Sequence, residues 1–422
     1  MKNVLVFFTD QQRWDTTGAH GNPLGLTPNF DALAARGLLL EHSFTCQPVC
    51  APARATLQTG TYPTTNGVYR NGIPLAREVP TLAQQFARHG YETGYLGKWH
   101  LYRDECPGAV PAEDRAGYQH WLAANLLEFT SDAYETTLYD EENQPRTFAG
   151  YRADALGDAA VDFVRRDRSD PFFLFVSFLE PHHQNSRDDY PAPDGYRERY
   201  DGRWVPSDLA ALPGGNWPEH LGGYLGMVRR LDEVLGRLVE ALADKGILDD
   251  TVILFTSDHG NHFKTRNGEY KRSCHDASIR VPTALAGAGV HGRHERLVSH
   301  VDLPPTLLDA AGLPVPEWMQ GRSVLAAPEG PDDVLVQISE SEVGRALRTR
   351  RWKYCVTAPD ADAWDEPRAD RYEETYLYDL EADPDELTNL VHDPALAPVR
   401  DELRERLLQR IVGSGEPEPV IG

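Results

Sequence analysis

Val4-Leu5-Val6-Phe7-Phe8-Thr9-Asp10 is an apolar run near the start of the chain that stops on a carboxylate. A run apolar at every position, and not at every second one, predicts a strand covered on both faces, as in a parallel sheet. The pattern recurs downstream. Tyr91 to Leu96 predicts a short strand that delivers Gly97-Lys98-Trp99-His100. Pro171 to Phe178 is the strongest buried strand and empties into Glu180-Pro181-His182-His183. Thr251 to Thr256 predicts a central strand ending in Ser257-Asp258-His259-Gly260. Helical signals fall between them. Thr27-Pro28 supplies an N-cap and a first-turn proline, with Phe30, Leu33 and Ala34 on the buried side and Gly37 as the stop. Further helices are predicted over Thr81 to His89, Arg152 to Val164, Glu219 to Lys245 and Leu303 to Ala311. In the Glu219 to Lys245 stretch, Leu231, Val234, Leu235, Leu238 and Leu242 are spaced by three and four. This alternation predicts an α/β fold: a large, mostly parallel sheet sandwiched by helices. In such sheets function gathers at the carboxyl ends of strands. Asp10, Lys98, His182 and Asp258 all fall just past predicted strands.

From about Pro331 the pattern changes. Val334 to Ile338, Ala346 to Thr349, Trp352 to Val356 and Glu374 to Leu380 predict short strands, and Leu403, Leu407 and Ile411 line a terminal helix. The expected division is residues 1–330 as the main α/β domain and 331–422 as a small antiparallel sheet with one helix. Residues 101–150 are irregular and acidic and are expected to lie as insertions over one face, and 184–218 is a second irregular region, rich in Tyr, Asp and Pro. The segment after Gly413, rich in Glu, Pro and Gly, is expected to fray.

The 422-residue chain has a formal net charge of -23, with 41% hydrophobic and 25% charged residues, an ordinary soluble composition. The acidity argues against a nucleic-acid surface, which needs a basic footprint, and leaves room for a local basic pocket holding a small anion. Five scattered cysteines do not make a disulfide scaffold. No stretch approaches the ~20 apolar residues of a spanning helix, so no membrane partner is expected. The first apolar run is short and lacks a small-residue cleavage pattern, so it reads as a strand and not a signal peptide, and a cytoplasmic location is expected. A homo-oligomer is left open.

The chemistry converges on Cys46-Gln47-Pro48-Val49-Cys50-Ala51-Pro52-Ala53-Arg54. A lone cysteine among small apolar neighbours is ordinarily a buried, inert thiol. Here Asp10-Gln11 and Asp258-His259 arrive from two distant strand ends. Each pair alone is as readily a turn or a helix cap. Together, carboxylates beside an amide and an imidazole make a sound divalent-metal site.

Cys50-x-Pro52-x-Arg54 resembles the signature of the type I, formylglycine-dependent sulfatases of the alkaline-phosphatase-like superfamily, and the resemblance runs from Met1 to about Pro398. Gly90-Tyr91-Glu92-Thr93-Gly94-Tyr95-Leu96-Gly97-Lys98-Trp99-His100 resembles the family's second signature. Leu377-Tyr378-Asp379-Leu380 with Asp383 to Leu390 resembles its C-terminal motif, expected in a turn and helix start. The resemblance implies hydrolysis of a small organic sulfate monoester, a sugar or aryl sulfate, with residues 1–330 as the catalytic domain. It implies that a separate formylglycine-generating enzyme, a transient partner, oxidises Cys50. The hydrated aldehyde then presents two hydroxyls: one attacks sulfur and expels the alcohol, and deprotonation of the other releases sulfate.

The resemblance also assigns roles. Asp10, Gln11, Asp258 and His259 would hold one divalent cation, calcium or manganese, with modified Cys50 as the fifth contact. Many relatives carry Asp-Asp and Asp-Asn pairs there, and the imidazole and a cytoplasmic location favour manganese. Arg54 steadies the nucleophile. Lys98 and Lys271 bind sulfate oxygens, with Lys264 and Arg272 read as surface charges. His100 takes the proton of the second hydroxyl, and His182 protonates the leaving alkoxide. His183 is the competing acid or a leaving-group contact. On an extended segment Lys98 and His100 project to the same side, with Trp99 turned to the core. Asn71 resembles a polar residue of the anion pocket, although Asn-Gly is also a common turn pair.

The alternative activity is that of a phosphonate monoester or phosphodiester hydrolase. Relatives of that kind tend to lack the pair seen here as Lys98 and His100, so the pair favours sulfate. A non-catalytic sulfate binder has no use for a modifiable cysteine. The alcohol half is expected to meet residues 101–150 and 184–218, where tyrosines and Trp217 either stack on it or pack.

Overall fold

A computed structural model describes residues 1–326 and 332–422. The expected domain boundary at 330/331 lies outside the described residues. The larger sheet comprises β1 (Asn3–Thr9), β2 (Leu38–Phe44), β3 (Glu92–Lys98), β4 (His120–Ala124), β5 (Glu135–Tyr139), β6 (Pro145–Ala149), β7 (Phe172–Ser177), β8 (Thr251–Ser257), β9 (Ala284–Ala286) and β10 (Gly292–Ser299). Their order across the sheet is β10-β2-β9-β8-β1-β7-β3-β4-β5-β6. The central run β8-β1-β7-β3-β4 is parallel throughout. β9 is antiparallel to both neighbours, and β5 and β6 close one edge antiparallel.

The unbroken apolar run of β1 has a direct cause. Val4, Val6 and Phe8 enter one core, against Ala51, Ala55, Leu82, Phe86 and Leu307. Leu5 and Phe7 enter the other, against Phe30, Leu156, Leu235 and Leu238. Each side chain of this size, fully buried, stabilises by roughly 1.5–3 kcal/mol. The flanking helices follow the periodicity: Pro28–Ala35, Leu82–Arg88, Arg152–Arg165, Trp217–Asp244 and Leu303–Ala310. At Leu82–Arg88 the start is a capping box, Thr81 with Gln84.

Several expectations need correction. Thr27 does not cap its helix with its side chain; its hydroxyl accepts from Gly18 N and donates to Asp31. Residues 101–150 are not simply an insertion over one face, because they supply β4, β5 and β6. β2, β9 and β10 also went unpredicted. β9 is only three residues long and β10 is a partly exposed edge strand, so pairing, and not their own pattern, makes them strands; β2, seven residues and mostly buried, lies between them.

The smaller sheet has the order β11 (Asp333–Ile338), β12 (Gly344–Thr349), β13 (Trp352–Thr357), β14 (Arg371–Asp379) and β15 (Val420–Ile421). It is antiparallel except for the β14–β15 pair. The helix Ala397–Gly413 packs Leu403, Leu407 and Ile411 against it. The chain after Gly413 does not fray. Ser414 and Glu416 are buried, Glu416 pairs with buried Arg345 at 2.7 Å, and β15 adds to the sheet. The motif at 383–390 makes turns but starts no helix. Its Glu386 accepts the Asp276 N–H at 2.7 Å, joining the smaller sheet to the segment that follows Lys271.

Candidate active site

Four adjacent parallel strands, β8, β1, β7 and β3, end side by side. Backbone bonds lock their ends together: Asp258 N to Thr9 O at 3.1 Å, Asp10 N to Glu180 O at 3.2 Å, and Phe178 N to Phe8 O at 2.8 Å. Asp10 and Asp258 are therefore held next to each other by sheet register. Gly97 allows β3 to close on β7, since a Cβ there would lie 2.0 Å from Ser177 O, and its φ is +105°.

The ligand atoms of Asp10, Cys50, Asp258 and His259 all lie within 4.8 Å of one another, and all four residues are buried. The donor set fits a divalent cation. His259 donates Nδ1–H to Gly260 O at 3.0 Å, so the lone pair of Nε2 points inward, 3.4 Å from Cys50 Sγ and from Asp258 Oδ2. Asp258 Oδ1 accepts from Gln11 N and His259 N, each at 2.8 Å, while Oδ2 has no hydrogen-bond partner. Gln11 donates Nε2–H to Tyr190 OH at 3.1 Å, which leaves its buried Oε1 without a partner. Two buried acceptors without a partner, in residues adjoining a neutral imidazole nitrogen, are what a cation would satisfy.

The electrostatics agree. Burial, then the neighbouring Asp10, push the Asp258 carboxyl up to about 7. Burial opposes ionisation of Asp10 as well, but Lys98, His182 and Arg54 outweigh it and hold this carboxyl well below the usual range. Burial and Lys271 bring the His259 imidazole down to about 4, against the pull of Asp258, leaving it neutral and free to ligate.

Cys50 begins the helix Cys50–Thr59, every residue of which is buried. Arg54, one turn on, is no surface arginine. It donates to Asp10 Oδ2 at 2.8 Å, to Ser177 Oγ at 2.6 Å and to Lys98 O at 3.1 Å. Lys271 Nζ sits 2.7 Å from Cys50 Sγ. Lys98, fully buried, pairs with Asp10 and with Glu128, each at 2.9 Å. Burial disfavours its charge, but those two carboxylates raise its pKa and keep it protonated.

The extended-strand argument for His100 fails past Lys98, because β3 ends there and His100 takes φ +58°. Its ring still faces the site: burial, Lys98 and Arg54 hold it neutral, and its Nδ1 has no partner. Trp99 packs on Tyr95 and Trp121, as expected. His182 donates Nδ1–H to His183 O at 2.6 Å, which leaves Nε2 as the free nitrogen. Burial, then His183, depress its pKa well below the ordinary value. His183 lies against Tyr270, ring centroids 4.4 Å apart, and burial and Lys271 lower its pKa to about 3. Asn71 Oδ1 accepts from Ala51 N at 3.0 Å, so its oxygen caps the start of the Cys50 helix.

Lys264 pairs with Asp188, a surface contact, as read from sequence. Arg272 is not a bland charge: it pairs with Glu340, whose side chain is fully buried, at 2.6 Å. Glu340 also accepts from Asn71 N at 2.7 Å, while Ser341 donates to Arg272 O and Ser339 accepts from Gln47 Nε2. Three successive residues of the β11–β12 connection thus hold Gln47, just before the Cys50 helix, Asn71, which caps it, and the Lys271 loop. These, with Glu128, Ser177 and Tyr190, are the site residues that sequence reasoning missed. Only Ser177 carried a signal, as the polar residue next to last in an expected strand. Trp217, Tyr190 and Tyr200 belong to a packed cluster with Phe263 and Tyr224.

A parallel sheet of this order, carrying a metal-ligand set at its central strand ends, is the architecture of the alkaline-phosphatase-like superfamily. The chain belongs to the sulfatase family, whose model, described as Sulfatase, matches residues 2–313. It is similar to the uncharacterized sulfatase YidJ of Escherichia coli, 30% identical over 96% of this chain and 86% of that protein. It is 28% identical to an ulvan-active sulfatase of Formosa agariphila, over 98% and 82% of the two chains. A crystal structure from Bacteroides fragilis, of a protein also bearing the sulfatase name YidJ, superposes with a TM-score of 0.85 at 24% identity, covering 99% of this chain and 96% of that one. Among the described residues no helix is long and apolar enough to cross a membrane.

Proposed function

We propose that the protein hydrolyses the sulfate monoester of a small alcohol, a sugar ahead of an aryl alcohol, to the free alcohol and inorganic sulfate, using a formylglycine made from Cys50 by a separate enzyme. The carrying observation is that Cys50 Sγ, Lys271 Nζ and His259 Nε2 meet within 2.7 to 3.4 Å of one another, beside Asp10 and Asp258. Sugar comes first because an ulvan-active relative is among the similar proteins. Catalysis is assigned to residues 1–330 and bracing to 331–422.

Asp10, Gln11, Asp258 and His259 would hold one divalent cation, manganese favoured over calcium by the imidazole, which supplies positive charge to acidify a hydroxyl on residue 50. The aldehyde made from Cys50 supplies, on hydration, one hydroxyl for attack on sulfur and one whose deprotonation releases sulfate. Arg54, anchored by Asp10 and Ser177, fixes the helix end from which residue 50 projects. Lys98 and Lys271 offset the charge of the sulfate oxygens. His100, held neutral, takes the proton of the second hydroxyl. His182 is also held neutral, so its acid role requires the bound sulfate's negative charge to restore its proton. His183, beside it, is a leaving-group contact.

The rival reading, phosphonate monoester or phosphodiester hydrolysis, is disfavoured by the presence of both Lys98 and His100. A cytoplasmic setting is part of the proposal and suits a small imported ester. The test is an activity screen across sugar, aryl and choline sulfates and phosphonate esters, on protein whose residue 50 has been mapped by peptide mass spectrometry. Sulfate release by the formylglycine form is expected. Full activity with only unmodified cysteine, or preference for a phosphonate ester, overturns the reading.

A further inference from the structure

Glu128 stands out among the buried charges. It is 5% exposed and comes from the short helix Leu127–Thr130, in the segment expected from sequence to be an irregular insertion. Its Oε1 lies 2.9 Å from Lys98 Nζ, and its Oε2 is buried with no hydrogen-bond partner. The mount is rigid. Gln184 Nε2 donates to Glu128 O at 2.9 Å, Arg152 holds Gln184 Oε1 at 3.1 Å, and Arg152 is paired with Glu180 at 2.8 Å. A buried carboxylate beside the cation meant for an anionic substrate weakens that cation's attraction, so packing alone gives no reason for it.

The charge balance gives one. Arg54, Lys98 and Lys271 are the cations around Cys50. Asp10 and Asp258 match the two charges of a divalent ion, and Glu340 is matched by Arg272. Glu128 is then the carboxylate left to oppose the three cations. A surplus of two positive charges remains. An ionised hydroxyl on residue 50 and a singly charged sulfate ester neutralise it. A phosphate monoester, doubly charged above its second pKa of about 6, overfills it.

We propose that Glu128 is the specificity-determining residue that tunes the pocket to monoanionic sulfate esters and disfavours dianionic phosphate monoesters of the same shape. This rests on the sulfatase reading and adds to it the charge class of the substrate. Glu128 acts through Lys98, by cancelling part of its charge, and touches no reacting atom.

The test compares methyl sulfate with methyl phosphate, at mildly alkaline pH, as ligands of the metal-loaded protein, and aryl sulfate with aryl phosphate as substrates. Glu128→Gln keeps the shape and removes the charge. It is expected to shift both the binding ratio and the kcat/KM ratio toward phosphate by about 10- to 100-fold. That is the worth of one charge roughly 6–12 Å away at an effective permittivity of about 20. Glu128→Asp keeps the charge and should stay within about 3-fold of the wild-type ratio. Asp104→Asn, which removes an exposed carboxylate, should do the same. Equal losses for both ligands in Glu128→Gln would make Glu128 merely structural and overturn the proposal. If that variant does not fold, the wild-type binding ratio decides: tighter binding of methyl phosphate than of methyl sulfate overturns it. Absence of aryl sulfate turnover by the formylglycine form sinks the sulfatase reading instead, and leaves the binding ratio to judge Glu128.

Discussion

Lys271 carries its Nζ to within 2.7 Å of Cys50 Sγ and 3.0 Å of His259 Nε2, so one ammonium bridges the head of the Cys50 helix and the end of β8. Its neighbour Arg272 faces the other way, onto Glu340. The two adjacent cations thus have separable roles. Lys271→Ala should lower kcat/KM by roughly 100- to 1,000-fold through loss of charge stabilisation at the sulfate. Arg272→Ala should act mainly on stability, because it strands the buried Glu340 carboxylate. Steady-state kinetics and thermal melts on both variants check this; equal kinetic losses would contradict it.

Asp258 has two roles, one on each oxygen. Oδ1 fixes the backbone of Gln11 and His259, and Oδ2 is free for a cation. Asp258→Ala should therefore empty the metal site and abolish nearly all turnover. Elemental analysis of the purified variant is the check, and a full complement of metal would refute the ligand assignment.

The two histidines should show different lesions. His182 is proposed to serve the leaving group, and a proton is needed there only when the departing alcohol is basic. His182→Ala should hurt sugar or alkyl sulfates far more than activated aryl sulfates. His100→Ala should slow sulfate release whatever the alcohol, giving a burst of alcohol and trapped covalent sulfate. Pre-steady-state measurements with two leaving groups separate the roles. Equal losses on both esters for His182→Ala, with no covalent sulfate in His100→Ala, would return the acid role to His183.

His275 links stability to pH. It is buried between Ser273 and Tyr378, and burial, then Arg266 and Lys353, hold its pKa well below 6.5. The folded state keeps it neutral while the unfolded chain takes up a proton below about pH 6.5. Its contribution is therefore fully present above that pH and is lost as pH falls below it, at up to about 1.4 kcal/mol per unit. Denaturant unfolding between pH 7.5 and 5 should show a shallower loss for His275→Gln than for the wild type. An identical slope would show that His275 does not titrate on unfolding.

The legible parts of this protein were those written in local pattern. β1, β3, β7 and β8 are apolar because both faces are covered, and each delivers a polar residue at its carboxyl end, so both the strands and Asp10, Lys98, His182 and Asp258 could be read together. Cys50 and Arg54 were legible from the resemblance of Cys50-x-Pro52-x-Arg54 to the sulfatase signature. β9 was not, because it spans only Ala284–Ala286 and is defined by its two partners. The segment after Gly413 looked polar and loose, yet Glu416 finds Arg345 seventy-one residues back in the chain. A buried ion pair with a distant partner leaves no periodic trace.

What the sequence by itself determined was the order of the central sheet's building blocks and the chemical kinds gathered at its strand ends, since apolar periodicity and residue type are local properties. The tertiary structure alone decided which oxygen of Asp258 is free, which nitrogens of His182 and His259 face the pocket, that Asn71 caps a helix, and that Glu128 and Glu340 enter the site at all. Those facts depend on hydrogen-bond partners brought from far along the chain, and a partner's identity at long range is fixed by packing geometry and not by its neighbours in sequence.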